Sequence, residues 1–214
     1  MNDAAVQAEF DRQVENLLQK GYPSAANMSA EQFFKHIEPL KKNIRDLVVS
    51  EADLEAGRLP FVIVINSDLV ASEKAMSFVE REGKPGVTKL FPLTAADFKT
   101  TGEAKIPRTQ AYILVGIDRG KETLNITPNE ALNTIIKKKR SPLTIDEGVA
   151  LITHYPDFLK KNNCFSLLAS RHSGDQRVPA IWINGEKKPH LGWCWAGNPH
   201  TWLGSASGSS RVGA

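Results

Sequence analysis

Two short runs of apolar residues constrain the fold more than any other feature of this sequence. They are residues 61–65 (FVIVI) and residues 111–117 (AYILVGI). Runs of this length without a polar interruption are typical of strands that are covered on both faces of a sheet. We therefore expect other elements to cover both faces of these strands, as in mixed α and β folds.

Helix-start patterns occur on both sides of these strands. At residues 29–32, 127–130 and 144–147, a Ser or Thr stands three residues before a Gln or Glu, which is the pattern of a capping box. Apolar residues at helical spacing predict an N-terminal helix over residues 4–20. The other predicted helical pieces are residues 70–82, a turn capped by Thr94, a short helix opened by Pro156, and a piece holding Ile44, Leu47 and Val48.

The last forty residues predict a hairpin followed by a tail. Residues 178–183 and 191–195 have strand character, and Asn184-Gly185 between them is a hairpin turn signal. The Gly/Ser-rich residues 204–211 have the composition of a mobile terminus. The alternative is that their backbone N–H groups bind an anion.

These patterns together predict an α+β fold, with a small mixed β-sheet flanked by helices and a C-terminal β-hairpin. We expect one domain over residues 1–214, since 214 residues fit one larger domain and no linker is evident. Its parts are a helical N-terminal segment (1–55), a mixed α/β core (56–177), and a Trp-rich hairpin and loop (178–204).

Composition favours a soluble cytoplasmic protein. Hydrophobic residues make up 41% and charged residues 24%, which is ordinary for globular proteins. The first twenty residues lack the basic start and apolar stretch of a signal peptide, and no apolar run approaches the ~20 residues that span a bilayer. Two cysteines are too few for a disulfide scaffold. The net charge of +3 permits an anionic ligand but is weaker than in dedicated nucleic-acid binders.

Side chains suited to binding or catalysis are concentrated near the C-terminus. All four tryptophans lie between Trp182 and Trp202, and both cysteines and four of the five histidines lie beyond residue 150. The sequence therefore predicts that a functional site, if present, lies in the last fifty or so residues.

The tryptophans allow two interpretations. On a strand, Trp193 and Trp195 face one side and Cys194 faces the other. The two rings then fill a core beside the hairpin, in which case Trp195→Ala would unfold the protein. Alternatively they form an aromatic wall for a planar ligand, a sugar or a base, together with Asn198 and Trp202.

Cys194, Asn198 and His200 are the residue types of a nucleophile, an orienting group and a base. We take Cys194 and His200 as candidate catalytic residues, although such groups usually come from distant parts of a chain. A metal site is not predicted, and the alternative is one in which the fold brings His200 to Cys164, His154 or His172. His190 and Cys194 would lie about 13 Å apart on a strand, and the sequence has no CxxC or HExxH pattern.

Two charged segments complete the candidates. Arg171, Asp175 and Arg177 flank a turn, where they form either an ion pair that fixes the entry to the hairpin or a clamp for an anionic ligand. Residues 137–140 (KKKR) end a predicted helix, where the backbone dipole favours cations. We expect a solvated helix end there, and a nucleic-acid patch is the alternative.

Several segments resemble a family of proteins of unknown function that is mostly actinobacterial. They are residues 123–128, 130–132, 141–148 and 163–166, and above all residues 191–204 (LGWCWAGNPHTWLG). The resemblance extends over most of the chain and implies a cytosolic bacterial protein, but it assigns no mechanism. It implies that Cys194, Asn198 and His200 belong to a shared motif, whereas His172 and His190 do not.

The sequence favours a small-molecule enzyme or binding protein, with Cys194 and His200 as polar groups in a Trp-lined pocket. The alternative is a protein- or RNA-interaction module, in which Trp and Arg side chains are exposed anchors. A small molecule is favoured over protein or RNA as the partner, no membrane contact is expected, and no pattern identifies a cofactor.

Overall fold

The structure, a computed structural model, describes residues 1–44 and 50–213. The α-helices of these residues, in chain order, are α1 (Asp3–Gln19), α2 (Tyr22–Ala25), α3 (Ala30–Ile37), α4 (Leu40–Asn43), α5 (Ser72–Ser77), α6 (Pro128–Lys137) and α7 (Ile145–His154). Short 3-10 segments lie at Ala95–Asp97, Lys121–Thr123 and Pro156–Phe158.

The β-strands, in the same order, are β1 (Arg58–Ile65), β2 (Glu80–Arg81), β3 (Lys84–Pro85), β4 (Val87–Thr88), β5 (Lys99–Thr100), β6 (Ala111–Asp118), β7 (Ser141–Pro142), β8 (Cys164–Ser166), β9 (Ser170–Arg171), β10 (Arg177–Ile183), β11 (Pro189–Trp195), β12 (Leu203–Ser205), β13 (Ser207–Gly208) and β14 (Ser210–Gly213). This content confirms the predicted α+β class.

The two long apolar strands are neighbours in the first sheet. β1 pairs antiparallel with β6, with Phe61 opposite Val115. The sheet has the order β1-β6-β13-β7, and β14 pairs with β6 beside β13. The second sheet has the order β12-β8-β10-β11-β4 and is mixed, because β4 and β12 run parallel to their neighbours. The predicted hairpin is β10–β11, and it forms the centre of this second sheet.

Helix α7 connects the two sheets. It contacts β1 of the first sheet and β10 of the second, and its residues are buried except for Asp146, which is half-buried. Gly148 permits this close packing, since a Cβ at this position would lie 2.5 Å from Leu167 Cδ2. The buried hydrophobic residues from Val6 to Ala206 form one cluster that includes both sheets. A few more, around α6, form a smaller cluster.

The outer edge of β1 is covered by a glutamine of α1. Gln13 Nε2 donates to the carbonyl of Phe61 (3.1 Å), and the backbone N–H of Ile63 donates to Gln13 Oε1 (2.8 Å). The ring Nε2 of His154 lies 3.1 Å from the carbonyl of Ile63. Side chains thus satisfy edge groups that another strand would otherwise bind.

We predict that Gln13→Leu lowers the free energy of unfolding by about 2 kcal/mol. The variant keeps an apolar side chain of similar size but leaves the Phe61 carbonyl and the Ile63 N–H buried without these partners. Urea denaturation measures the loss. The matched control is Gln19→Leu on the exposed end of the same helix, where a change within about 0.5 kcal/mol is expected. Equal losses in the two variants would contradict this role of Gln13.

Two local predictions differ from the structure. The predicted helix over residues 70–82 ends at Ser77, and β2 and β3 follow as a hairpin. The chain reverses here because the N–H of Gly86 donates to the carbonyl of Val79 (2.8 Å), where a Cβ on Gly86 would lie 2.3 Å from the Met76 carbonyl oxygen. The helix opened by Pro156 is a single 3-10 turn. The helical piece around Ile44 cannot be compared beyond that residue, because Leu47 and Val48 lie outside the described residues.

The Gly/Ser-rich tail is folded up to Gly213, contrary to the expectation of a mobile terminus. It forms β12, β13 and β14, which add to both sheets. Arg140 helps to hold it, donating from Nη2 to the carbonyls of Gly116 (2.6 Å) and Ser207 (2.9 Å). The last residue of the predicted solvated helix end is therefore structural, while Lys137 and Lys139 are exposed.

Candidate functional site

The hairpin determines where the candidate side chains lie. Across it, Trp182 is opposite His190, and Arg177 is opposite Trp195. Residues opposite each other in an antiparallel pair share a face, so Trp182 and His190 lie on one face and Arg177 and Trp195 on the other. Trp193 shares the face of Trp195, as the sequence predicts, and therefore lies on the same face as Arg177.

Arg177, Trp193 and Trp195 form a cluster at the surface. The Trp193 and Trp195 rings meet edge to face with centroids 5.0 Å apart. The Arg177 guanidinium carbon lies 4.7 Å from the Trp193 centroid and 5.5 Å from that of Trp195, within cation–π range. Trp195 is 41% exposed, so it is not the core residue that one interpretation proposed.

Asp175 holds the Arg177 guanidinium in place. Its carboxylate pairs with Arg177 Nη1 and accepts the backbone N–H of Arg177 (2.8 Å). Desolvation acts to raise the pKa of Asp175, but the hydrogen bond from the Arg177 N–H and the guanidinium charge lower it overall. Among the described hydrogen bonds none uses Arg177 Nη2, and this side chain keeps 20% of its surface exposed. The ion pair expected from the sequence is therefore present, together with an Arg nitrogen that a ligand can use.

Beside this cluster lies an open groove of about 770 Å³, which we name the aromatic groove. Its floor and walls comprise Glu73, residues 88–94, Trp182, His190 and Trp193. The 88–94 loop runs alongside β11, to which β4 pairs in parallel, and Trp193 Nε1 donates to the carbonyl of Phe91 (3.4 Å). Phe91 itself is 87% exposed.

The polar side of the aromatic groove carries one cation, Lys89, and one carboxylate, Glu73. Lys89 is exposed and forms no ion pair with any described residue, whereas the Glu73 carboxylate is occupied by the N–H of Ala95 (2.7 Å). Burial, and in second place the charge of Lys89, lower the pKa of His190 below its ordinary value. The neutral His190 ring stacks on Trp182, with centroids 4.4 Å apart and planes at 23°. A ligand in this groove meets aromatic rings and an unpaired ammonium group.

Cys194 and His200 have different surroundings. The Cys194 sulfur lies 3.9 Å from Ser166 Oγ and packs against both hydrophobic clusters. Burial raises the pKa of its thiol, against the opposing effects of Ser166 and Arg171. The His200 ring instead lies 5.1 Å from that of Trp202. No described contact joins the two candidate catalytic residues, and a raised thiol pKa disfavours the thiolate that a nucleophile requires.

The remaining candidates are distributed around this region. Asn198 is exposed and its N–H donates to the carbonyl of Trp195 (3.1 Å), forming a turn. Trp202 is half-buried, with its ring 6.3 Å from that of Trp182. Arg171 lies in β9, opposite Lys99. Within the described ranges, no three His, Cys, Asp or Glu side chains are grouped in a way that could hold a metal ion.

Sequence reasoning did not single out Lys89 and Phe91. Both lie about one hundred residues before the tryptophans, and only the parallel pairing of β4 with β11 brings them to Trp193. The sequence around Phe91 carries one local signal. An apolar residue stands directly before Pro92, where a strand pattern stops.

Comparison with known proteins places the chain in a family. A family model described as "Family of unknown function (DUF5701)" matches residues 16–214. The chain belongs to this family. The matched range includes every strand of both sheets and the whole aromatic groove. No curated protein and no solved structure matches the chain. No helix of the described residues has the length and apolar character needed to cross a membrane.

Proposed function

We propose that the aromatic groove binds nucleotide units, with a nucleobase stacked on its aromatic side chains and a phosphate beside its lysine. The observation that carries this proposal is the 87% exposed Phe91, which lines the same groove as Trp193 and the unpaired Lys89 and accepts the Trp193 ring N–H at its backbone carbonyl. Exposed aromatic rings next to cations are the common feature of sites that bind bases without reading their sequence.

Exposure of the rings supports binding of a partner over a purely structural role. A buried aromatic contributes to stability, whereas a Phe at 87% exposure leaves its apolar surface in water. Trp195, at 41% exposure, extends the aromatic surface beyond the groove. Ring faces of this kind contribute about 1–3 kcal/mol for each stacked base.

The placement of two cations supports an anionic ligand, although Glu73 and Asp175 offset their charges. Lys89 at the groove and Arg177 Nη2 at the adjoining cluster are available to phosphate oxygens, and Arg177 is already oriented by Asp175. The whole chain carries only +3, but these cations are local to the aromatic rings. A preorganised guanidinium loses little freedom when it binds a phosphate.

The groove favours binding over covalent chemistry by Cys194. Neither Cys194 nor His200 is among the residues that line it, and burial raises the pKa of the Cys194 thiol. Trp193, Trp195 and Arg177 are then the ligand-contacting residues retained from the sequence prediction. We also infer that the protein acts in the bacterial cytoplasm, which agrees with two free cysteines in the structure.

The test is fluorescence anisotropy with a labelled four-nucleotide RNA. We predict that Phe91→Ala and Trp193→Ala each weaken binding about tenfold, which is the loss of one base's stacking. The matched control is Phe34→Ala, since Phe34 on α3 is also exposed (40%) but lies outside the groove. Absence of binding, or an equal effect of Phe34→Ala, would overturn the proposal, and capture of a peptide by the same groove would replace it.

A further inference from the structure

A second groove lies at the end of the hairpin, next to the aromatic groove. We name it the tip groove. It has a volume of about 620 Å³ and is lined by Arg81, Glu82, Lys161, Ile183, Asn184, Gly185 and Lys187. Trp182 lines the aromatic groove and the next residue, Ile183, lines the tip groove. Consecutive residues at the end of β10 therefore line the two grooves.

Unpaired cations extend from one groove to the other. Lys84, Lys89, Lys161 and Lys187 are exposed, and none of them forms an ion pair within the described part of the chain. Two acidic residues next to the tip groove are paired, whereas Glu73 and Glu80 form no ion pair with a described residue. The paired residues are Glu82, with Arg81 (2.7 Å), and Glu186, with Lys188 (2.6 Å).

The pKa of Glu186 indicates that two of these lysines, Lys84 and Lys89, act near the hairpin turn. It is lowered mainly by its hydrogen bond and ion pair with Lys188, and further by the charges of Lys89 and Lys84. Lys89, at the aromatic groove, is thus within electrostatic reach of the hairpin turn. A strand of phosphates that passes around this turn can contact exposed lysines on both sides of it.

The turn itself is held in one conformation. Asn184 Oδ1 accepts the backbone N–H groups of Glu186 (2.9 Å) and Lys188 (3.0 Å), and the Asn184 N–H donates to the carbonyl of Lys188 (3.0 Å). The turn therefore presents Lys187 in a fixed place, and a ligand does not have to order this segment on binding.

We propose that the ligand is a single-stranded nucleic acid that continues from the aromatic groove around the hairpin end into the tip groove. This inference rests on the proposed function and names its ligand as a strand instead of a free mononucleotide. The tip groove is lined by no aromatic side chain among the described residues, so it contacts phosphates without stacking bases. Lys161 and Lys187 are its phosphate-binding residues.

The experiment compares labelled RNAs of four and twelve uridines by fluorescence anisotropy at several salt concentrations. The twelve-mer is expected to bind about a hundredfold tighter than the four-mer, beyond the roughly tenfold gain that its overlapping four-nucleotide sites give by statistics alone. In Lys161→Gln/Lys187→Gln, binding of the four-mer stays unchanged while the advantage of the twelve-mer falls to about that statistical gain. The log–log salt slope of the twelve-mer falls by about 1.4, or ~0.7 for each lost phosphate contact.

The charge-matched control is Lys42→Gln/Lys137→Gln, which removes two exposed lysines outside both grooves. An advantage of the twelve-mer no larger than the statistical gain, or an equal loss in the control, would overturn the strand path while the proposed function stands. Equally tight binding of uridine monophosphate and the twelve-mer would also overturn the strand path while the proposed function stands. Failure of the wild-type protein to bind either RNA would overturn both proposals.

Discussion

Replacing Arg211 with alanine is expected to lower the free energy of unfolding by about 3–5 kcal/mol, although this residue lies three positions from the end of the chain. The reason is a fully buried carboxylate. Glu147 on α7 has no exposed side-chain surface, and Arg211 is its cationic partner. Removing one member of such a pair leaves a buried charge without compensation, and a loss of this size is typical.

The geometry of the pair is bidentate. Arg211 Nε donates to Glu147 Oε1 (2.5 Å) and Nη2 donates to Oε2 (2.9 Å). Arg211 also donates to Ser141 Oγ (2.8 Å) and to the carbonyl of Pro142 (2.9 Å), so it joins the tail to β7 and α7. Tyr112 OH donates to the same carboxylate (3.1 Å). Arg211→Ala therefore disconnects three elements at once.

Chemical denaturation of Arg211→Ala, with Lys35→Ala as the control, measures this effect. Lys35 forms an ion pair with Glu31 on α3, and both side chains are exposed, so its loss is expected to cost about 0.5 kcal/mol or less. The double variant Glu147→Leu/Arg211→Met removes both charges and is expected to recover part of the stability. A loss below about 1 kcal/mol for Arg211→Ala would show that the tail contributes little to the fold.

Acid is expected to destabilise the protein through His154. This residue ends α7 and is buried, with its Nε2 at the carbonyl of Ile63 (3.1 Å) and its Nδ1 at Asn16 Nδ2 (3.3 Å). Burial, followed by the positive charge of Arg12, lowers the pKa of His154 to about 3. The two contacts suit a neutral ring that donates from Nε2 and accepts at Nδ1.

The sign of the effect follows from proton binding. Between the ordinary His pKa of about 6.5 and the folded value, the unfolded chain binds a proton that the folded chain does not. Stability therefore falls as the pH decreases below about 6.5, by about 1.4 kcal/mol per pH unit from this residue, which amounts to about 3 kcal/mol by pH 4. Below pH 3 this residue contributes no further loss.

Urea denaturation between pH 7.5 and pH 4.5 tests this prediction in the wild type and in His154→Gln. The Gln amide can donate to the Ile63 carbonyl but does not titrate. The variant should be less stable at pH 7.5, and its deficit should shrink as the pH falls, because only the wild type carries the histidine penalty. Parallel curves for the two proteins would rule out His154 as an acid-sensitive group.

Half of the candidate site could be predicted from the sequence. The alternation of β11 placed Trp193 and Trp195 on one face, and the ion pair of Asp175 with Arg177 was one of two expectations for that turn. Lys89 and Phe91 could not be predicted, because β4 is two residues long and its parallel pairing joins segments one hundred residues apart. No local pattern specifies such a pairing.

The sequence by itself determined the elements whose signals are local. The three capping boxes at residues 29–32, 127–130 and 144–147 start helices, and residues 61–65 and 111–117 form buried strands. Each signal lies within a few residues, so the chain needs no distant contact to express it.

Only the tertiary structure determined the conformation of the C-terminal tail. Residues 204–210 have small side chains and no hydrophobic period, so their composition resembles that of a mobile terminus. They form strands because their small side chains allow close approach of backbones. A Cβ on Gly204 would lie 2.3 Å from the carbonyl oxygen of Gly120, and one on Gly208 would lie 2.6 Å from Leu114 Cδ1. The fit of small residues depends on what lies opposite them, and that is a property of the folded protein alone.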